Sequence, residues 1–103
     1  MEKIYLVFDE YRYDGADQGA NVIPCATMEI AVKVLKQRYE WYLRNSYFQT
    51  FVGQCEDGSL YLKEERLGKH DMWEVDEDSV EIIICNKDTR LDLHIAEESV
   101  VCE

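Results

Sequence analysis

Residues 27–45, TMEIAVKVLKQRYEWYLRN, form the one stretch of this 103-residue chain with helical periodicity. At 100° per residue, Met28, Ala31, Val32, Leu35, Tyr39, Tyr42 and Leu43 fall within about 120° of one another, and Glu29, Lys33, Lys36, Gln37, Glu40 and Arg44 take the opposite side. Thr27 supplies the N-cap, and Glu29 with Lys33 and Glu40 with Arg44 have the i,i+4 spacing that supports a helix. The spacing therefore predicts a helix from Met28 to Asn45 that buries one face. Beside the core stripe runs a second apolar ridge, Ile30, Val34 and Trp41, with Arg38 between the two. Such a ridge is either covered by a neighbouring segment or left open for a partner or a second copy of the chain.

On both sides of the helix the chain reads as strands. Lys3–Tyr11 carries large apolar residues on both faces, so it belongs inside a sheet. A polar, glycine-bearing loop is expected over residues 12–21. Val22–Ala26 can add a short strand, which Pro24 confines to a sheet edge. Tyr47–Cys55 and Ser59–Leu67 flank Asp57-Gly58, a type I′ hairpin signal that would place Phe51, Cys55, Leu60 and Leu62 on one face. Met72–Val75 reads as a short strand. A last hairpin pairs Val80–Asn86 with Leu91–Ala96 across residues 87–90, gathering Ile82, Ile84, Leu91, Leu93 and Ile95 on the core side. The expected fold is a single α+β domain over residues 1–103. It has one amphipathic helix packed on a largely antiparallel sheet, in the order β(β)αββ(β)ββ. Such a sheet can leave one face in water. Tyr61, Lys63, Glu65, Glu81, Cys85, Asp92 and His94 fall on that side of their strands.

Net charge is −11, from 22 acids and 11 bases, which argues against a nucleic acid or an anionic membrane as direct partner. The charge is uneven. Residues 1–26 carry −3, residues 27–52 carry +2, and residues 53–103 carry −10. The densest run, Glu74-Val75-Asp76-Glu77-Asp78-Ser79-Val80-Glu81, holds five carboxylates in eight residues. It lacks the mid-loop glycine and terminal glutamate of a helix–loop–helix calcium site. A solvated turn between strands, or a surface shaped to meet a basic protein, is the expected use. Glu64 and Glu65 are second-choice contacts. Asp9, Glu10, Asp14 and Asp17 form another acidic group, at a strand end where carboxylates can hold hydrated magnesium but more often line a polar loop.

Catalytic and metal motifs are lacking. Cys25, Cys55, Cys85 and Cys102 are 30, 30 and 17 residues apart, with no C-x-x-C or C-x-x-H spacing. They read as small hydrophobes of a reduced chain, and neither cofactor nor metal is expected. With no signal-like or spanning segment at Met1–Glu10, a cytoplasmic location is expected. The best nucleophile arrangement is on the last hairpin. In the register above, Cys85 faces Asp92 with His94 on the diagonal, yet a flat wet face offers no oxyanion hole. A small cysteine- or metal-dependent enzyme is thus the least favoured function.

The opening strand, the Tyr13-Asp14-Gly15 loop and the helix start Thr27-Met28-Glu29-Ile30-Ala31 resemble small acidic uncharacterised proteins of bacteriophages and mobile elements. That resemblance spans about the first 40 residues and implies a non-enzymatic inhibitor of the anti-CRISPR type, which occupies the basic nucleic-acid channel of a nuclease. It assigns no residue roles. The expected function is an acidic interaction or inhibitor protein using Glu74, Asp76, Glu77, Asp78 and Glu81 against a basic surface. The alternative is a module that self-associates as a homodimer through Ile30, Val34 and Trp41.

Overall fold

The computed structural model describes residues 2–100 (the backbone alone at Val100). The chain is α+β, and both optional strands of the expected order form. Strands β1 (Glu2–Tyr13), β2 (Asp17–Cys25), β5 (Met72–Val75), β6 (Ser79–Ile84) and β7 (Thr89–Val100) build one antiparallel sheet in the order β2-β1-β7-β6-β5. Helix α1 (Met28–Asn45) covers its inner face. Strands β3 (Val52–Gln54) and β4 (Leu60–Leu62) make a separate two-stranded ribbon. One helix layer on one sheet layer accounts for a shortest dimension of 21 Å.

The helix begins as its sequence dictates, with the Thr27 hydroxyl accepting from the Ile30 N–H at 3.1 Å. Ala31, Leu35, Tyr42 and Leu43 are buried on the sheet, where they meet Val7, Val80, Ile82, Ile84, Leu91 and Leu93. A 3₁₀ turn at Tyr47–Phe51 then drops Phe48 and Phe51 against Trp73, with ring centroids 6.1 and 5.9 Å away. Trp73 donates its indole N–H to the Tyr39 hydroxyl at 3.0 Å. Burial is the largest cause of the raised Tyr39 pKa, and the Trp73 hydrogen bond opposes it.

Three local expectations change. The stretch expected as a loop over residues 12–21 is mostly strand, because Asp14 and Gly15 both adopt positive φ (51° and 69°) and turn the chain at once. The resulting tip docks on the far hairpin. Gly15 N–H donates to the Asp88 carbonyl (3.0 Å), Asp14 N–H donates to the Thr89 hydroxyl (3.1 Å), and Arg12 pairs with Asp88 (3.3 Å).

The ribbon is shorter than expected and one residue out of register. Cys55 N–H donates to the Ser59 carbonyl, so three residues, Glu56 to Gly58, make the loop, with Gly58 at φ 90°. A one-residue slip reverses the faces. Val52, Leu60 and Leu62 pack toward the core, whereas Cys55 is exposed.

The β6–β7 register differs by four residues from the expected one. Ile84 pairs with Thr89, and Asp92 with Glu81. An even shift keeps every side chain on its face, so Ile82, Ile84, Leu91 and Leu93 are buried as patterned, Val80 joins them, and Ile95 is partly buried against the core. It does move every cross-strand partner.

Candidate functional site

Four strands each present one outward carboxylate at the same height. Glu74 of β5 pairs with Glu81 of β6, Glu81 with Asp92 of β7, and Asp92 with Glu10 of β1. Directly opposed antiparallel residues stand about 4.5–5.5 Å apart, so the row crosses four strands as a ladder of like charge and ends on Ala20 of β2. At its other end, Asp76 N–H donates to the Ser79 carbonyl (2.8 Å) and closes a tight turn at Glu77-Asp78. Asp76, Glu77 and Asp78 are exposed there. Of these acids only Asp92 has a basic side chain within hydrogen-bond reach among the described residues, the His94 imidazole, whose Nδ1 lies 3.1 Å from its Oδ1.

The neighbouring rows differ in character. On one side lie Arg90 and Arg12, opposite each other, with Arg12 drawn toward Asp88 and the Gly15 carbonyl. Here the sheet surface forms a depression of about 520 Å³ lined by Glu10, Arg12, Gln18, Arg90 and Asp92. On the other side His94 stacks on Phe8, with centroids 4.8 Å apart and planes 11° apart, and Phe8 pairs with Val22, which is 52% exposed. The outer face is therefore an acidic band bordered by two arginines and by an apolar strip.

Five of the seven acids singled out from the sequence thus share one region: Glu74, Asp76, Glu77, Asp78 and Glu81. Glu64 and Glu65 sit on a 3₁₀ turn after β4, beyond the five-stranded sheet. Glu10 and Asp92 join the row unannounced. The outward parity of Asp92 was legible in its hairpin, that of Glu10 was not because β1 is apolar on both faces, and their alignment depends on register.

The second acidic group does not assemble. Asp9 points inward and is fully buried, and its carboxylate takes the Arg38 Nε at 2.6 Å, while Glu10 faces out and Asp14 occupies the hairpin turn. Arg38 also lies over Trp41 and Tyr42, 5.2 and 5.4 Å from their centroids. Burial alone would lower the Arg38 pKa, but the hydrogen bond and charge of Asp9 raise it. Burial, aided by the Asp9 charge, pushes Tyr42 up to about 12. Sequence reading placed Arg38 between two ridges and missed its partner. A lone acid at an inward position of an apolar strand was the available signal.

The four-residue register difference removes the cysteine constellation. Cys85 lies in a 3₁₀ turn, its thiol directed at the His70 carbonyl (3.1 Å) and its N–H held by Asp71 (2.9 Å), away from Asp92 and His94. Among the described residues, no three His, Cys, Asp or Glu side chains are grouped to hold a metal ion. Cys25, Cys55 and Cys85 are free, and Cys102 lies outside the described residues. No described helix is long and apolar enough to cross a membrane. Of the sequence ridge, Val34 packs against the core, whereas Ile30 and Trp41 stay 46% and 47% exposed.

Comparison with protein-family models, curated proteins and solved structures finds no match to this chain.

Proposed function

We propose that the chain is a small, acidic, non-enzymatic interaction protein that docks its outer sheet face on a basic surface of a partner protein. The carrying observation is the Glu74–Glu81–Asp92–Glu10 row, continuous with Asp76, Glu77 and Asp78 at its end. Like charges directly opposite one another destabilise a sheet. Three such apposed pairs in one row are a cost that binding to cations would offset. A rigid series of negative charges resembles what a phosphate backbone presents to a basic groove. The partner class is accordingly the nucleic-acid-binding surface of a protein such as a nuclease, an inhibitor role of the anti-CRISPR kind, exercised in the cytoplasm. Complementary charge supplies encounter rate and specificity, and the Phe8–Val22 strip supplies apolar area beside it.

The test is capture from a host lysate at low and high salt, followed by titration of the captured basic protein. Binding should weaken steeply with salt and be lost when Asp76, Glu77 and Asp78 are all changed to lysine. It should also fall with Glu81→Lys. The pair Glu64→Lys and Glu65→Lys reports whether the row or acidity in general is recognised. Unchanged affinity in the triple variant would overturn the proposal.

A further inference from the structure

The outer face is one surface with an unfilled capacity; the β2 edge is another. At the opposite edge, β5 has four residues and carries Glu74. Strand β2 has nine residues, and Asp17 is its one charged side chain. Natural edges are blunted by shortness, lysine, proline or bulges, and β2 has Pro24 alone.

The direction of its backbone groups follows from the sheet itself. The Ser79 carbonyl is turned to the β5 side, where it accepts from Asp76 N–H. Hydrogen-bonding direction alternates along each strand. Carried through the continuous registers, this turns Val80 toward β7, Ala96 toward β1 and Leu6 toward β7. Pro24, opposite Leu6, therefore points its donor-less nitrogen off the edge. Gln18, Ala20 and Val22 share its parity, so their N–H and C=O groups also point away from the sheet.

We infer that β2 pairs with β2 of a second copy of this chain, antiparallel and centred on Ala20, to form a continuous ten-stranded sheet. Centring on Ala20 sets Gln18 opposite the partner's Val22 and Ala20 opposite the partner's Ala20, and the backbone donors and acceptors of all of these residues point off the edge, with no partner among the described residues. Both prolines then fall beyond the paired segment. A centre at Val22 would instead set Ala20 against the partner's Pro24 and lose bonds at both ends. The Ala20 register also places each Asp17 against an Ile23, with no like charges opposed, and its central residues Gly19 and Ala20 are small. The exposed apolar flank of α1 lies along the same side of the molecule. Trp41 and Arg38 share a cleft with Asn21 and Asp17 of β2, and Ile30 continues that ridge. Because each acidic row ends at Ala20, the pairing would also set the two rows in line. That makes the dimer a doubled version of the proposed acidic surface without depending on it.

Sedimentation of the full chain over a concentration series tests this. The wild type should dissociate on dilution, and its dimer should strengthen with added salt, because each copy carries −11. Partner binding through the acidic face has the opposite salt dependence, so the two proposals fail separately. Ala20→Pro removes an off-edge donor that the monomer does not use, and Val22→Lys places a charge at the joint. Each should sediment as a monomer while its circular dichroism remains that of the wild type. If Ala20→Pro does not fold, Val22→Lys alone decides. A wild-type monomer at every concentration, or a dimer that survives Val22→Lys, would overturn the inference.

Discussion

The guanidinium of Arg38 meets the carboxylate of Asp9 at 2.6 Å beneath the helix, across 29 residues of sequence. Asp9 is fully buried, and its second oxygen, Oδ1, has no hydrogen-bond partner among the described residues. Removing one member of a buried pair leaves the other charge uncompensated, which typically costs about 3–5 kcal/mol. Arg38→Ala should therefore lower the urea midpoint severely. The double change Asp9→Leu with Arg38→Met replaces the pair by apolar volume and should return most of that loss. If Arg38→Ala unfolds at the wild-type midpoint, the pair does not hold the helix to β1.

The carboxylate row predicts a trade between stability and binding. Glu81 has Glu74 on one side and Asp92 on the other. Relieving both contacts in Glu81→Gln should raise stability by about 0.5–1 kcal/mol at low salt, and the gain should shrink as salt screens the wild type. The same variant should bind the captured partner less tightly. Loss of stability in low-salt urea titrations would show that the row carries no net repulsion.

Tyr11 lies across Gly19 on the neighbouring strand, so closely that a Cβ at residue 19 would collide with the ring. Gly19→Ala must displace Tyr11 from its stack on Tyr13 and its tilted contact with Tyr42. Overpacking of this kind costs about 1–3 kcal/mol. Thermal unfolding of Gly19→Ala beside the milder Ala20→Gly measures it, and equal midpoints would rule out the collision.

Alkaline pH should unfold the protein through its buried phenols. Tyr42 is raised from 10.0 to about 12, chiefly by burial, and burial also raises Tyr13 and Tyr39. A group that holds its proton more tightly when folded contributes stability that is complete below its unfolded pKa and lost as pH rises toward the folded one. For Tyr42 that window runs from about pH 10 to about 12. Tyr42→Phe should flatten the decline across it. An equally steep decline in Tyr42→Phe would place the titration elsewhere.

Much of the fold is written in local periodicity. A 3.6-residue pattern and a capping threonine determine α1 with its ends. Alternation determines which side of the last hairpin is buried, at Ile82, Ile84, Leu91 and Leu93, whereas β1 is apolar on both faces and only its packing against α1 selects the Val7 side. Pro24 marks β2 as an edge before any partner is known. Side-chain direction repeats every two residues and needs no information from elsewhere in the chain. Register does, because it is decided by how turns close and what they touch. The β6–β7 hairpin keeps its faces under a shift of four, so its pattern could not distinguish Cys85 from Glu81 as the partner of Asp92. The Asp14-Gly15 tip, bonded to Asp88 and Thr89, belongs to a contact formed only in the folded chain. Residue types and their periodicity specify an acidic α+β fold with carboxylates at outward strand positions. Only tertiary structure aligned four of them into a row, buried Asp9 against Arg38 and took Cys85 away from His94, because each of those outcomes depends on the long-range pairing of strands.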